Sequence, residues 1–312
     1  MRAMHSATKT DALLKYALGI SLLSVFFFAG ISCSDAGSTP ALHTYAGTPD
    51  SLPNDPPQRY CWPGADTSPA QICTRFDVPE GYARVKAGGQ SFATWLRHLP
   101  LLPPGSQVLL HNGQSKRNQR AHVAVVNIDP GKADLQQCAD AVMRLRAEYL
   151  FTQKRFSEIA FNFTSGDRCD YLSWCNGERI DTRKPGKRLR NGSKATVGEY
   201  TAFRRYMNDV FMYAGTLSLS REMKSIAADS MQIGDVFIKG GSPGHACIVA
   251  DMAVNAKGEK VFLLLQSYMP AQNIQVLRNP DAGGENPWYA LDFGEVLNTP
   301  EWEFQRSQLK RF

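Results

Sequence analysis

An α+β domain, with helices packed on one side of an antiparallel sheet, is predicted by three stretches of the sequence. Ile233 to Gln275 reads as three consecutive strands with two turns: apolar runs are broken by GGSPG and NAKG, both rich in turn formers. Asp134 to Tyr149 carries the clearest helical spacing in the chain, with Ala141, Val142, Leu145 and Tyr149 on one face. Tyr200 to Tyr213 is a second amphipathic helix, turning Phe203, Met207, Val210 and Phe211 inward.

The first 33 residues read as a leader rather than as fold. Arg2, Lys9 and Lys15 precede an apolar run from Tyr16 to Ile31, and Ala29, Gly30, Ile31 and Ser32 lead into Cys33. That run is about 16 residues, short of the roughly 20 that span a bilayer. A cysteine directly after small residues resembles a bacterial lipoprotein processing site, with Cys33 as the lipidated residue; an ordinary cleaved signal is the other reading. Either implies export. The lipoprotein reading adds a membrane partner through the lipid anchor and a place in the cell envelope, with the outer membrane expected. Residues 34 to 58, rich in Ser, Thr, Pro, Gly and Asp, read as a flexible tether, leaving 59 to 312 as a single globular domain.

The formal net charge is +6, and the leader's three basic residues against Asp11 account for part of it. So mild a basic balance argues against dedicated nucleic-acid binding. No CxxC or HExxH is present, so a structural zinc is not expected, and no cofactor is implied. In an oxidising envelope Cys61 with Cys73 and Cys169 with Cys175 are candidate local disulfides; free thiols are the alternative.

Along the domain, Ser91 opens a short helix with Phe92, Trp95, Leu96 and Leu99 on one face, ended by Pro100, Pro103 and Pro104. Strand-like runs follow at Gln107 to His111 and His122 to Asp129, joined by a basic loop. His122 is a candidate binding residue, or a satisfied strand-end histidine. Asp134 is expected to cap the next helix, with Gln137 completing a capping box. Ile159 to Phe163 reads as a strand, followed by a turn with Ser165 and Asp167, the latter a candidate binding residue. Arg183 to Lys194 holds six basic residues and no acid, the pattern of a solvated loop. Trp95 and Tyr268 complete the candidate binding set.

The candidate chemistry is a cysteine–histidine pair. Cys138 lies in the first turn of its helix, where unpaired N–H groups favour a thiolate. A histidine must then take and return the proton, and a polar partner must fix that histidine's tautomer. His245 begins the middle strand of the hairpins. With the turn centred on Asn255 to Gly258, His245 stands opposite Tyr268 and Cys247 opposite Gln266, so His245, Gln266 and Tyr268 share a face. A bland reading stands beside this one. Cys138 also aligns with Val142 and Leu145, as a core cysteine would, and Gln266 closes an apolar run as a core amide would. Cys247 is the competing thiol, but neighbours on one strand diverge.

The segment GDVFIKGGSPGHACIVADMAVNAKGEKVFLLLQSY resembles the second half of CHAP-type and related papain-like amidases of bacterial cell walls. In those enzymes a Gly-His pair starts a strand, and the next strand carries a polar residue. Their cysteine comes earlier, at a helix N-terminus. The resemblance implies a papain-like or CHAP-like arrangement, with Cys138 as nucleophile, His245 as base and Gln266 as the orienting residue. It departs from those families in the Ala139-Asp140 that follows Cys138 and in the long gap before His245. Nearly the whole exported chain also resembles an uncharacterised family of envelope lipoproteins, a domain of unknown function, through LQQCADAVMRLRAEYL, FNFTSGDR, PGHACIVADM, LLQSYMPAQ, NPWY and TPEWEF. Together these imply an envelope-anchored cysteine amidase or peptidase acting on peptidoglycan or similar amides. The alternative is a non-catalytic glycan- or peptide-binding lipoprotein on the same scaffold, with Trp95, Trp174, Trp288 and the basic loop making the contacts.

Overall fold

The computed structural model describes residues 55–65 and 70–312; the leader, Cys33 and most of the expected tether lie outside them. Among the described residues the main sheet has nine strands. In chain order these are β1 (Tyr82–Arg84), β2 (His122–Val125), β3 (Lys224–Ser225), β4 (Val236–Lys239), β5 (His245–Asn255), β6 (Lys260–Gln266), β7 (Gln275–Leu277), β8 (Tyr289–Ala290) and β9 (Leu309–Arg311). The sheet order is β2-β7-β6-β5-β4-β9-β3, with β8 beside β6 and β1 beside the far end of β5, every pair antiparallel. The fold is α+β, as the alternation of helical and strand patterns predicts.

Strand β5 is the axis. It is buried on both faces for most of its 11 residues, so its sequence is a continuous apolar run rather than an alternating one. Its partner β6 follows a turn at Asn255–Gly258 in which Asn255 and Glu259 pair, with Gly258 at φ 82°. That pairing is offset by one residue from the expected register, since Val254 faces Lys260 and Asp251 faces Leu263. A bulge at Ala250 then absorbs one residue, so that Val249 faces Leu264 and Ile248 faces Leu265. Continued one step, the register sets Cys247 opposite Gln266, where the sequence places it.

The bulge also turns Asp251 to the face opposite Val249. There its carboxylate accepts from Arg84 Nε at 2.8 Å and Arg97 Nε at 2.7 Å. Removing that carboxylate would strand two cations in the interior, a change that costs about 3–5 kcal/mol.

Among the described residues four α-helices have six or more residues: α1 (Phe92–Arg97), α2 (Cys138–Thr152), α3 (Tyr200–Tyr213) and α4 (Thr216–Glu222). Ser91 caps α1 by accepting from Thr94 N at 3.2 Å. Helices α1 and α2 pack on β5 and α4 packs on β4, while α2 also touches α1, α3 and α4. Helix α2 begins at Cys138, not at Asp134 as its spacing suggests. Asp134 instead accepts from Gln137 Nε2 at 3.2 Å and Ala271 N at 2.6 Å, and Asp140 accepts from Gln137 N at 3.0 Å. The capping carboxylate is therefore inside the first turn, and the chain before Cys138 is spent on tying the helix to the loop after β6.

Three further expectations need correction. Gln107–His111 forms only isolated bridges, Leu109 with Ser115 and Leu110 with Gln272. Trp95 is core: fully buried, it donates to Arg59 O at 3.1 Å and packs against Tyr60, Trp62, Phe92 and Tyr149. The described cysteines are free thiols, including both expected disulfide pairs; Cys73 turns toward His98 and Cys61 toward Thr152. Among the described residues no helix is long and apolar enough to cross a membrane.

Candidate functional site

His245 opens β5 directly after a tight turn. A Cβ at Gly244 would meet Gly241 O and Thr216 Oγ1 at 2.4 Å and Lys239 O at 2.7 Å, so only glycine lets the turn press against the start of α4. The His245 side chain is 1% exposed and packs against the rings of Tyr268, Trp302 and Phe304 at 4.8, 5.3 and 5.8 Å.

One ring nitrogen, Nε2, lies 2.8 Å from Gln266 Oε1. Gln266 Nε2 donates in turn to Glu301 Oε2 at 2.8 Å. Glu301 also accepts from Lys116 Nζ at 2.5 Å and Asn118 Nδ2 at 3.2 Å. A carboxylate only accepts, so the Gln266 amide must turn its NH2 to Glu301 and its oxygen to the imidazole. The His245 proton therefore sits on Nε2, and the lone pair is left on Nδ1. Burial is the main force on the titration of this ring, pushing it down to about 4 against the Gln266 bond and the Glu301 charge.

Cys138 is the first residue of α2 and 8% exposed. Backbone N–H groups of Ala139, Ala246 and Cys138 itself favour its thiolate. Ala246 follows His245 in β5, so the sulfur meets the histidine strand at its first residues. Burial outweighs these donors and, with the nearby Asp140 carboxyl, pushes the thiol up to about 11. The resting pair is thus neutral on both sides: thiol and unprotonated imidazole.

Cys138 and His245 line one cavity of about 540 Å³, with Tyr268, Trp302, Asp134 and Asp140 also in its wall and Met212 and Met269 exposed beside it. That volume falls within the range of small-molecule and peptide sites.

The structure gathers Cys138, His245, Gln266 and Tyr268, and leaves the other expected residues elsewhere. Trp95 is core. His122 donates from Nε2 to Ser106 O at 3.1 Å at the end of its strand, and its Nδ1 is buried without a hydrogen-bond partner. Asp167 braces a turn, accepting from Ser165 Oγ and Gly186 N, each at 2.7 Å. Cys247 comes closer to the histidine than strand divergence suggests, with its sulfur 3.6 Å from His245 Nε2. It lies on the Gln266 side of the ring, 3.7 Å from Gln266 Oε1, and is fully buried. The residues that sequence reasoning missed are Glu301, Lys116 and Asp140. Lys116 sits in the basic loop before His122 and is 7% exposed. The one local hint of Glu301 is an acid set among aromatics in TPEWEF.

Among the described residues no group of three or more His, Cys, Asp or Glu side chains is placed to hold a metal ion.

The chain belongs to the DUF4846 family, a domain of unknown function, whose profile matches residues 72–311. That span takes in Cys138, His245, Gln266 and Glu301. No curated protein and no solved structure matches the chain.

Proposed function

We propose that this protein is a cysteine amidase or peptidase, exported and lipid-anchored through Cys33, that cleaves peptidoglycan peptides or similar envelope amides. The observation that carries the chemical reading is the relay from Glu301 through Gln266 to His245, beside a thiol at a helix start in the same cavity. A buried amide held by a carboxylate is an expensive way to fill space. It has a clear use in presenting one imidazole nitrogen as a base.

In this reading the thiol proton of Cys138 passes to His245 Nδ1 as the sulfur attacks the amide carbonyl. The carbonyl oxygen becomes an oxyanion, held by the N–H of Cys138. The imidazolium then protonates the leaving nitrogen, the C–N bond breaks and a thioester remains. Water gives a proton to His245 and attacks the thioester; the C–S bond breaks, the acid leaves and the proton returns to sulfur. Gln266 holds the ring, and Glu301 with Lys116 holds Gln266. The order of parts, a helix-borne cysteine, a strand-borne histidine and an amide on the next strand, supports a papain-like reading. Location and substrate rest on the leader pattern and on the resemblance to cell-wall amidases.

A second reading, a non-catalytic peptide- or glycan-binding lipoprotein, is favoured by the thiol pushed up to about 11. Its contacts would be the cavity aromatics, Tyr268 and Trp302, because Trp95, Trp174 and Trp288 are buried.

Incubation with peptidoglycan-derived peptides separates the two. New amines should be released by the wild type and not by Cys138→Ala or His245→Ala. Equal product from wild type and Cys138→Ala would overturn the hydrolase reading.

A further inference from the structure

The cavity that holds Cys138 and His245 is acidic. Its wall contains Asp134 and Asp140 and no Lys or Arg. The two carboxyls are not alike. Asp134 is about half exposed and already holds Gln137 and Ala271. Asp140 is 6% exposed, and only one of its oxygens, Oδ2, is used, in capping α2 through Gln137 N. The other, Oδ1, is buried and has no hydrogen-bond partner.

An unpartnered carboxyl oxygen in a closed wall is costly, by about 1–3 kcal/mol or more. Such a cost is expected at a site that a ligand completes. Capping does not require it, since an asparagine or serine side chain would accept the same N–H. What Oδ1 lacks is a donor, and the cavity supplies no cation of its own.

We propose that Asp140 Oδ1 is the anchor for a substrate ammonium group, so that the cavity selects peptides bearing a free amine next to the bond presented to Cys138. The amine belongs to the end of a short peptide or to the side chain of a diamino acid. Burial pushes the carboxyl up to about 8, so the empty site carries little charge near neutral pH and ionises against an arriving ammonium. A peptide with a free amine would thus be bound, and a blocked peptide would not. Met212 and Met269, 54% and 59% exposed beside the cavity, give such a peptide an adaptable apolar edge.

The inference takes the cavity as the substrate site and so rests on the reading above, but its test does not need turnover. The full chain carrying Cys138→Ala is titrated by calorimetry with trialanine and with N-acetyl-trialanine at pH 7. Trialanine should bind at least tenfold more tightly, and the preference should vanish in Cys138→Ala/Asp140→Asn, which keeps an oxygen for the cap. Thermal melting of both variants establishes that they fold. As a second readout, trialanine should protect Cys138 of the wild type from alkylation more than the acetylated peptide does. Equal affinity for the two peptides, no binding of either, or a preference that survives Asp140→Asn would overturn the proposal. Amine-selective binding without hydrolysis of any peptide would keep the anchor and remove the hydrolase.

Discussion

A second cysteine and histidine, Cys73 and His98, are in direct contact, and yet they are a poorer candidate than Cys138 and His245. Cys73 Sγ lies 3.4 Å from His98 Nδ1, and His98 Nε2 lies 3.2 Å from Asp55 Oδ2. By distance alone that is a thiol–imidazole–carboxylate row. Cys138 and His245 share no such contact; the ring's polar neighbours are Gln266 and Cys247. The difference lies in what else the ring nitrogens meet. His98 Nδ1 is also 2.7 Å from Gln71 Oε1 and its Nε2 is 3.2 Å from Asp55 Oδ2, so the sulfur shares its nitrogen with a closer polar neighbour. At His245 the relay from Glu301 pins the proton on Nε2 and leaves Nδ1 free. Access differs as well: Cys73 is 2% exposed and lies in a helix of four residues, whereas Cys138 opens a 15-residue helix on a cavity of about 540 Å³. A base is defined by where its proton sits, before any distance to the thiol is measured.

The sharpest way to break this comparison is to remove each pair in turn. His245→Ala and Cys138→Ala should lower amide hydrolysis by about a thousandfold or more, the scale of losing a nucleophile or its base. Cys73→Ala and His98→Ala should leave it within a few fold, although Cys73→Ala will lower the melting temperature. Loss of activity in the second set, with the first unaffected, would exchange the roles of the two pairs.

The relay supplies the next largest effect. Glu301→Gln frees the Gln266 amide to turn over, because residue 301 then offers a donor as well as an acceptor. Turnover should fall about tenfold to a hundredfold with KM little changed, as for a partner that orients a functional side chain. A variant with unaltered turnover would show that Gln266 does not depend on Glu301.

The pH profile is a third discriminator. His245 serves as base only when unprotonated, and burial holds it at about 4. Activity should therefore stay level from pH 8 down to about 5 and fall as pH drops through about 4. An ordinary histidine would lose activity near 6.5. A fall centred above pH 6 would contradict the burial ascribed to this ring.

The smallest effect concerns stability. The charges around Cys73 are matched, since Asp251 is paired with Arg84 and Arg97, whereas Asp140 beside Cys138 is unmatched. Its folded carboxyl sits at about 8, above the ordinary range near 4. Between those values the folded state holds the extra proton, so this group's contribution to stability falls as pH rises from about 4 to 8. Asp140→Asn should flatten that decline and gain on the order of 1–3 kcal/mol at pH 8, read from urea unfolding at pH 5 and pH 8. A loss of stability at pH 8 would mean that the carboxylate is compensated by a partner.

Much of this was legible in the sequence, though not always for the expected reason. Helix α3 spans Tyr200–Tyr213 as its spacing predicts, because its amphipathic pattern has no competing cap. Cys138 sits still closer to the helix start than expected, because Asp134 turns to the loop after β6 and yields the first turn to Asp140. Gln266 reaches His245 through two offsets that cancel, one in the hairpin turn and one at Ala250; neither leaves a mark in a pattern of apolar residues. The roles of Glu301 and Lys116 were not legible. They lie 35 and 150 positions from Gln266 along the chain, and only the closed fold brings them to one amide. Trp95 was placed on the apolar face of its helix, and that packing, rather than ligand contact, is its role.

The central claim is that Cys138, served by His245, is the working thiol. Alkylation of the native protein at pH 7 with iodoacetamide, mapped residue by residue by mass spectrometry, tests it most directly. Of the buried cysteines, Cys138 should react first, at least tenfold more slowly in His245→Ala and unchanged in His98→Ala. If Cys73 reacts first, or if Cys138 is modified only after the chain is unfolded in urea, the claim is wrong.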